Sequence, residues 1–555
     1  MAIRHILVFI LLILGKFSPS AQMVVGEDTL VGNEWIRYGQ EYFKFTIDAD
    51  GIYRIPFAVL EANGLAGTPG SEFRLYSMGK QVPLYVSTPG IIGSDDFIEF
   101  YGYKNRGDLD RFLFRHPDKD MLNPAYSLYS DQRPYYLTTA GNDTPLRVTI
   151  LQNTPEGSPE SYYLHTERLE YNAVANDPYY PISGGGAISY SSYLHSEGYG
   201  KVSETNPTVQ INTSDRAGAG PDAKLHIRLS TTNYGNHKLI INFNGQVLDT
   251  LFDADGDTNL MLKDTVFEIS NALLQDNNQL SFTSINAQSR ISLVSIELTY
   301  PRLTQMNGAS ESLLTLQPQA EDHVVELDNF LHQDIAPVIY STDGQLRMTA
   351  VINPESKVHF VWPAHDTPYS IRVVNPALSI HTIASVKRKV FTDFAEDDTE
   401  YVVITHPSLM ESGTGSAYIQ YRISPEGGAY RAKAYSILDL YEQFGYGVEK
   451  HPQCIRNFVE FMHRQWPSAK MIFIIGRGIE YNRSRINNGT WESLFFVPTF
   501  GRPGADNLLA ATLWDLVPRY PIGRLAITDP QAIADYLNKV KAHDLSRYGG
   551  QNLED

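Results

Sequence analysis

The chain has 555 residues, 42% of them hydrophobic, with 45 basic against 63 acidic side chains and a formal net charge of −18. That length predicts roughly three to five domains with packed cores, and the charge excludes the basic face that a nucleic-acid partner needs. Thirty-four tyrosines, 41 glycines and 31 prolines favour β-rich, turn-rich architecture, and the single cysteine, Cys454, excludes an internal disulfide.

Residues 1–21 read as a signal peptide. Arg4 and His5 precede the apolar run from Ile6 to Leu14, and the small residues Ser18, Ser20 and Ala21 follow. A membrane anchor is the competing reading, but so short a run does not span a bilayer. The mature chain is expected to be exported, soluble or surface-attached. Residues 22–140 predict a β-domain with minor helix. Its strands are Trp35–Tyr38, Tyr42–Ile47, Gly51–Ile55, Glu72–Tyr76, Val82–Val86, Phe97–Tyr101 and Pro134–Thr139, with Asp48-Ala-Asp-Gly51 as a turn. Residues 141–302 predict an antiparallel β-sandwich. Leu146–Leu151, Ala223–Leu229, His237–Phe243 and Ile291–Leu298 alternate, and Gly184-Gly-Gly186 and Ala217–Gly220 are loops. Residues 303–399 predict a smaller β-domain with strands at Val324–Leu327, Val338–Tyr340, Leu346–Ile352, Val358–Val361 and Ser370–Val374.

Residues 400–555 differ in kind. Tyr401–Thr405, Lys470–Ile475 and Ile522–Leu525 read as strands. The run 470–475 lacks polar alternation, as suits a strand buried on both faces. Pro452–Gln465 places apolar residues 454, 455, 458, 459, 461 and 462 on one helical stripe. Asp529 caps a further helix from Pro530 to Lys541. Strand and helix in alternation predict a parallel sheet with helices on its faces and a site at the carboxyl ends of its strands. The expected fold class is multidomain: N-terminal β-rich and β-sandwich domains, then an incomplete α/β unit with a parallel sheet.

Several local patterns recur together. Trp35-Ile-x-Tyr38-x-Gln40-x-Tyr42-x-Lys44-Phe45, followed by Gly51-Ile-Tyr-Arg-Ile55, resembles the start of the PorU-type sortases of the type IX secretion system. Asp96-Phe-Ile-Glu-Phe-Tyr-Gly102, Asn123-Pro124 and Tyr126-Ser-Leu-Tyr129 extend the likeness. The α/β stretch is similar to the gingipain-type (caspase-like) cysteine peptidase domain in Ile404-Thr-His-Pro407, Asp439-Leu-Tyr-Glu-Gln-Phe444, Gly447, Ile455-Arg-Asn-Phe458, Ile474-Ile-Gly-Arg-Gly478, Val497-Pro-Thr499, Asp506 and Ile522–Leu525. The resemblance implies a secreted peptidase in which a His–Cys dyad attacks a peptide carbonyl, aided by backbone N–H groups that hold the oxyanion. In the sortase branch it implies a place at the outer membrane or cell surface of a Gram-negative bacterium. It also implies removal of C-terminal signals from protein cargo, contact with other secretion-system components, transfer to anionic lipopolysaccharide, and no cofactor.

The family's His and Cys lie at later strand ends than any in this sequence, so no residue here inherits the dyad. The chain is therefore expected to be a fragment of a longer protein or a truncated form. Two departures suggest a divergent paralogue. Arg477 stands where the family often has an acidic residue between two glycines, and Ala505-Asp506-Asn507 stands where it has Ser-Asp-Asp. A non-catalytic binding or assembly component of the secretion machinery is the second reading.

Individual candidates carry competing readings. Cys454 sits on the apolar helical stripe and reads as a small core hydrophobe. His406 follows a strand on the face where such a sheet keeps its site; a structural loop histidine is the alternative. Gly476-Arg477-Gly478 lacks the third glycine of a dinucleotide turn. Arg477 and Asp506 either line the family's cleft or form a surface salt bridge. Asp253, Asp255 and Asp257 alternate as a calcium loop would, but a solvated hairpin turn fits the tract better. No zinc-type spacing occurs.

Overall fold

The structure, a computed structural model, describes residues 23–548 apart from 26–27, 142, 177–179, 183–185, 234–236, 253–259, 286–288, 412 and 487. The expected signal peptide, the Asp253–Asp257 tract and most of the Gly184–Gly186 loop lie outside the described residues.

In the first domain, period-two patterning builds two facing sheets. Lys387–Val390, Glu41–Ile47, Arg133–Thr138, Arg74–Ser77 and Lys80–Val82 form one. His381–Thr382, Gly51–Pro56, Phe97–Gly102 and Tyr85–Val86 form the other. Phe43, Phe45 and Ile47 point inward to meet Ile55, Ile98 and Phe100. The outer face of the first sheet is also apolar, with Tyr42, Tyr136, Trp35 and Phe391 in edge and tilted contact. Both sheets end in strands from residues 381–390, so the chain returns to complete this domain after the sandwich region.

A nine-stranded sheet backs that region. Its Ala223–Thr231, Leu262–Ile269 and Ile291–Leu303 strands face the sheet of Thr208–Asn212, Asn277–Ser284, Lys238–Phe243 and Gln246–Phe252 across Leu225, Ile227, Ile296, Ile241 and Phe282. Its Glu311–Leu316, Val338–Ser341 and Tyr369–Val374 strands face His323–Leu327 and Val358–Trp362 across Leu314, Ile339, Phe360 and Trp362. Residue 302 falls inside the Ile291–Leu303 strand, and two sandwiches share one continuous sheet across it.

The last unit is a four-stranded parallel sheet in the order Ala432–Ser436, Tyr401–Thr405, Met471–Ile475, Ile522–Leu525. Helices Thr414–Ile423 and Gln531–Tyr548 cover one face through Tyr418, Ile533 and Leu537, which pack on Val403 and Ile475. Helices Ile437–Phe444 and Gln453–Gln465 cover the other through Phe444, Phe458 and Met462, which pack on Val402, Ile404 and Ile474. The final helix runs past Lys541, and Ala432–Ser436 is a strand that its composition does not announce. Ala and Lys are weak strand formers. Here parallel pairing with Tyr401–Thr405 makes the strand, at an edge where Lys433 is exposed.

Buried polar clasps lock these units together. Glu99, with no exposed side-chain surface, accepts from Arg54 (2.7 Å) of its own domain and from Tyr340 (2.9 Å) and Arg347 (3.1 Å) of the nine-stranded sheet. Lys44 of the first domain meets Glu442 at 2.6 Å, and Tyr136 donates to the same carboxylate. Asp110 accepts from His451 Nε2 at 2.9 Å, from Ser127 Oγ and from the Leu128 N–H, while the Gln453 N–H fixes His451 Nδ1 as an acceptor. Replacing Glu99 by Ala leaves Arg347 buried without its carboxylate and is expected to cost about 3–5 kcal/mol. Urea unfolding followed by tryptophan fluorescence checks this; an unchanged midpoint contradicts the clasp.

Candidate functional site

Topology decides where a site forms. From Tyr401–Thr405 the chain crosses by Thr414–Ile423 on one face to Ala432–Ser436. It returns by two helices on the other face to Met471–Ile475 on the opposite side. Crossovers that depart in opposite directions open a crevice at the carboxyl ends of the Tyr401 and Met471 strands. Thr405 pairs with Ile475. His406 therefore stands beside Gly476, and Arg477 lies one residue beyond.

The half-buried His406 ring is set by its neighbours. Its Nδ1 lies 2.7 Å from Ser408 Oγ and 3.3 Å from the Ser408 N–H, and Phe496 meets the ring edge-on at 5.7 Å. A backbone N–H can only donate, so Nδ1 carries the lone pair and Nε2 the proton. Burial pushes the imidazole pKa down, and the Glu411 charge opposes this only in part. At neutral pH His406 is an uncharged donor through Nε2.

Gly476 turns the strand end with φ +133°, where a Cβ would come within 2.8 Å of Phe496 Cβ. The Arg477 backbone is tied on both sides: its N–H donates to Ile527 O at 2.9 Å, and its carbonyl accepts from Phe496 and Val497 at 2.9 and 3.2 Å. Its half-buried side chain has no hydrogen bond or ion pair among the described residues.

Asp506 opens the short turn Asp506–Leu509 and is held by Arg524. Nε and Nη2 each reach one carboxylate oxygen at 2.7 Å, and Thr499 Oγ1 adds a third bond at 3.1 Å. The same guanidinium donates to Gly476 O (2.8 Å), Val497 O (2.9 Å) and Pro498 O (2.7 Å). Arg524 thus ties the strand end to the loop beyond it. The structure joins Asp506 to Arg524 and leaves Arg477 out of that pair. Beside His406, a cavity of about 340 Å³ is lined by Thr405, Pro407, Met410, Glu411, Ala434 and Ser436.

Cys454 is elsewhere. It is fully buried in the Gln453–Gln465 helix, and burial pushes its thiol pKa well up, so it is not positioned or charged to attack anything at the crevice. Among the described residues no group of three His, Cys, Asp or Glu side chains could hold a metal. Ser408, Phe496 and Arg524 are the site residues that sequence patterns overlook. Arg524 alone leaves a signal, because a charge inside a short strand of a parallel sheet requires partners.

Residues 394–553 match the model of peptidase family C25. They form a peptidase family C25 domain. The crevice, Arg524 and Asp506 all belong to this C25 domain. The fold is similar to the dimeric latent PorU of Porphyromonas gingivalis, with a TM-score of 0.56 and 14% identity over 91% of this chain and 50% of that one. The chain thus spans half the length of that protein. A family 35 carbohydrate binding module from Clostridium thermocellum aligns with 24% of this chain and 97% of its own, at 15% identity and a TM-score of 0.14. That score is too low to bear on the fold. No curated protein matches the chain.

The His406 environment makes a pH prediction. Its folded pKa lies below the free value of about 6.5, so the unfolded chain takes up the proton first. His406 therefore withdraws stability as pH falls from about 6.5 towards its folded pKa, and leaves stability unchanged above that window. A ¹³C-histidine NMR titration of the full chain should find this ring titrating below the free value, and Ser408→Ala, which removes a donor to the neutral ring, should raise it. Titration at or above the free value contradicts the geometry.

Proposed function

We propose that this chain is the N-terminal portion of a secreted, gingipain-family cysteine peptidase of the PorU-like sortase type, acting on C-terminal signals of exported cargo. The observation that carries the reading is the coincidence of the C25 match with a stretch whose topology opens a crevice at parallel strand ends. The likeness to latent PorU across both β-regions supports it. In this reading the reaction needs a thiolate, a proton-shuttling base and N–H groups for the oxyanion. The residues here supply the crevice floor: the glycine turn at Gly476, the Arg524-braced loop, and the uncharged His406 donor. The β-domains orient the cargo, and other secretion-system components and anionic lipopolysaccharide are the further partners. The protein acts outside the cytoplasm, at the outer membrane or cell surface. Among the described residues no helix is long and apolar enough to cross a membrane.

The burial of Cys454, the sole thiol of these 555 residues, favours a second reading: a non-catalytic binding or assembly component of the same machinery. The two separate in the native cell envelope. An antibody against the β-region should reveal a band well above 62.3 kDa. A thiol-reactive peptide probe should label that band, and labelling should persist in Cys454→Ala. A band near the mass of this chain that takes no label assigns the protein to the second reading.

A further inference from the structure

We propose that the crevice holds a carboxylate, gripped by the Arg477 guanidinium with the His406 Nε2–H alongside. The inference rests on the peptidase reading above and names the chemical group that its substrate presents here.

The charges at this end of the sheet lead to Arg477. Asp506 is neutralised by Arg524 through two bonds of 2.7 Å. Glu480 faces Arg502 at 3.7 Å and accepts from the Gly504 N–H. Arg477 is the cation left over, half-buried and without a partner among the described residues, in a chain whose net charge is −18. A half-buried guanidinium without a partner among the described residues favours an anion, and its planar fork matches a carboxylate with two parallel bonds.

Position and rigidity point the same way. The register places His406 beside Gly476 and Arg477 just past it, at the switch point where such sheets bind ligands. The Arg477 backbone is pinned to Ile527 on one side and to Phe496 and Val497 on the other, so its side chain springs from a fixed base. His406 contributes a donor and no charge, because Ser408 occupies Nδ1 and burial disfavours the imidazolium. A neutral donor strengthens the grip on a carboxylate without repelling Arg477. Glu411, exposed on the neighbouring cavity, makes that side hostile to anions and directs the carboxylate towards Arg477.

A carboxylate reaches the crevice either as a chain terminus or as an Asp or Glu side chain. Calorimetric titration of the full chain at low salt, with three peptides of one sequence, tells these apart. One peptide carries a free C-terminus, one a C-terminal amide, and one the amide with an internal Glu. At least one acidic peptide should bind about tenfold or more tighter than the neutral amide. That preference should vanish in Arg477→Gln and return in part in Arg477→Lys, which restores charge without the fork. Both variants should keep the parent melting temperature. Tighter binding of the free acid assigns the terminus, and tighter binding of the Glu peptide assigns the side chain. Equal binding of all three, or a preference that survives Arg477→Gln, overturns the carboxylate inference and leaves the peptide-binding reading standing. Binding of none overturns both.

Discussion

The burial of the helix Gln453–Gln465 is the constraint on which the rest depends. From Gln453 to Met462 every residue is buried, Arg456, Asn457 and Glu460 included. A stretch of helix with no solvent face must be enclosed, and this one is enclosed by three parties. Phe458 and Met462 belong to the core that includes the sheet residues Val402, Ile404 and Ile474, and the same core takes in Leu113, Phe114, Leu128 and Tyr129 of the first domain and Tyr193 and Tyr199 of the sandwich region. Two of its buried polar groups find partners within that enclosure: Asn457 donates to Phe444 O and Arg456 to Leu508 O. Burial pushes Arg456 down to about 9, so it remains a cation at neutral pH, resting 4.8 Å over Phe500.

That enclosure extends to the crevice. Tyr193, on the segment that leaves the sandwich region, pairs its hydroxyl with Tyr129 and accepts from the Gly501 N–H, and its ring stands edge-on to Phe500. Gly501 has φ +66°, and a Cβ there would lie 1.6 Å from Ser191 O, so only glycine permits this approach. The same loop, a few residues earlier, is fastened to the strand ends by Arg524. The β-regions and the crevice are thus joined by a short path of direct contacts, and the geometry of the strand ends is a property of the whole chain.

Much of this was legible in the amino-acid order. Tyr401–Thr405 and Ile522–Leu525 stand where apolar runs place them, and the stripe through Cys454, Phe458 and Met462 predicts both a helix and the burial of its thiol. The likeness to the C25 family was readable from short motifs, and it survives as a domain and a fold. The shared nine-stranded sheet was not legible, because alternation reports which face of a strand is buried and is silent on which distant strand it pairs with. The return of residues 381–390 to the first domain is hidden for the same reason. At the crevice, His406, Arg477 and Asp506 could be named, but their relations could not. That Asp506 belongs to Arg524 and that Arg477 is left without a partner among the described residues follow from register and loop path, which no local pattern carries.

The most direct test of this account is calorimetry and sizing of residues 394–555 expressed alone, beside the full chain. Separated from the β-regions, the outer face of the Gln453–Gln465 helix and the loop that Tyr193 braces would face water, and the exposed apolar surface would drive association. The account predicts an isolated domain that self-associates and lacks a cooperative transition, while the full chain is monodisperse and melts cooperatively. An isolated domain that stays monomeric and melts in one sharp transition would contradict it.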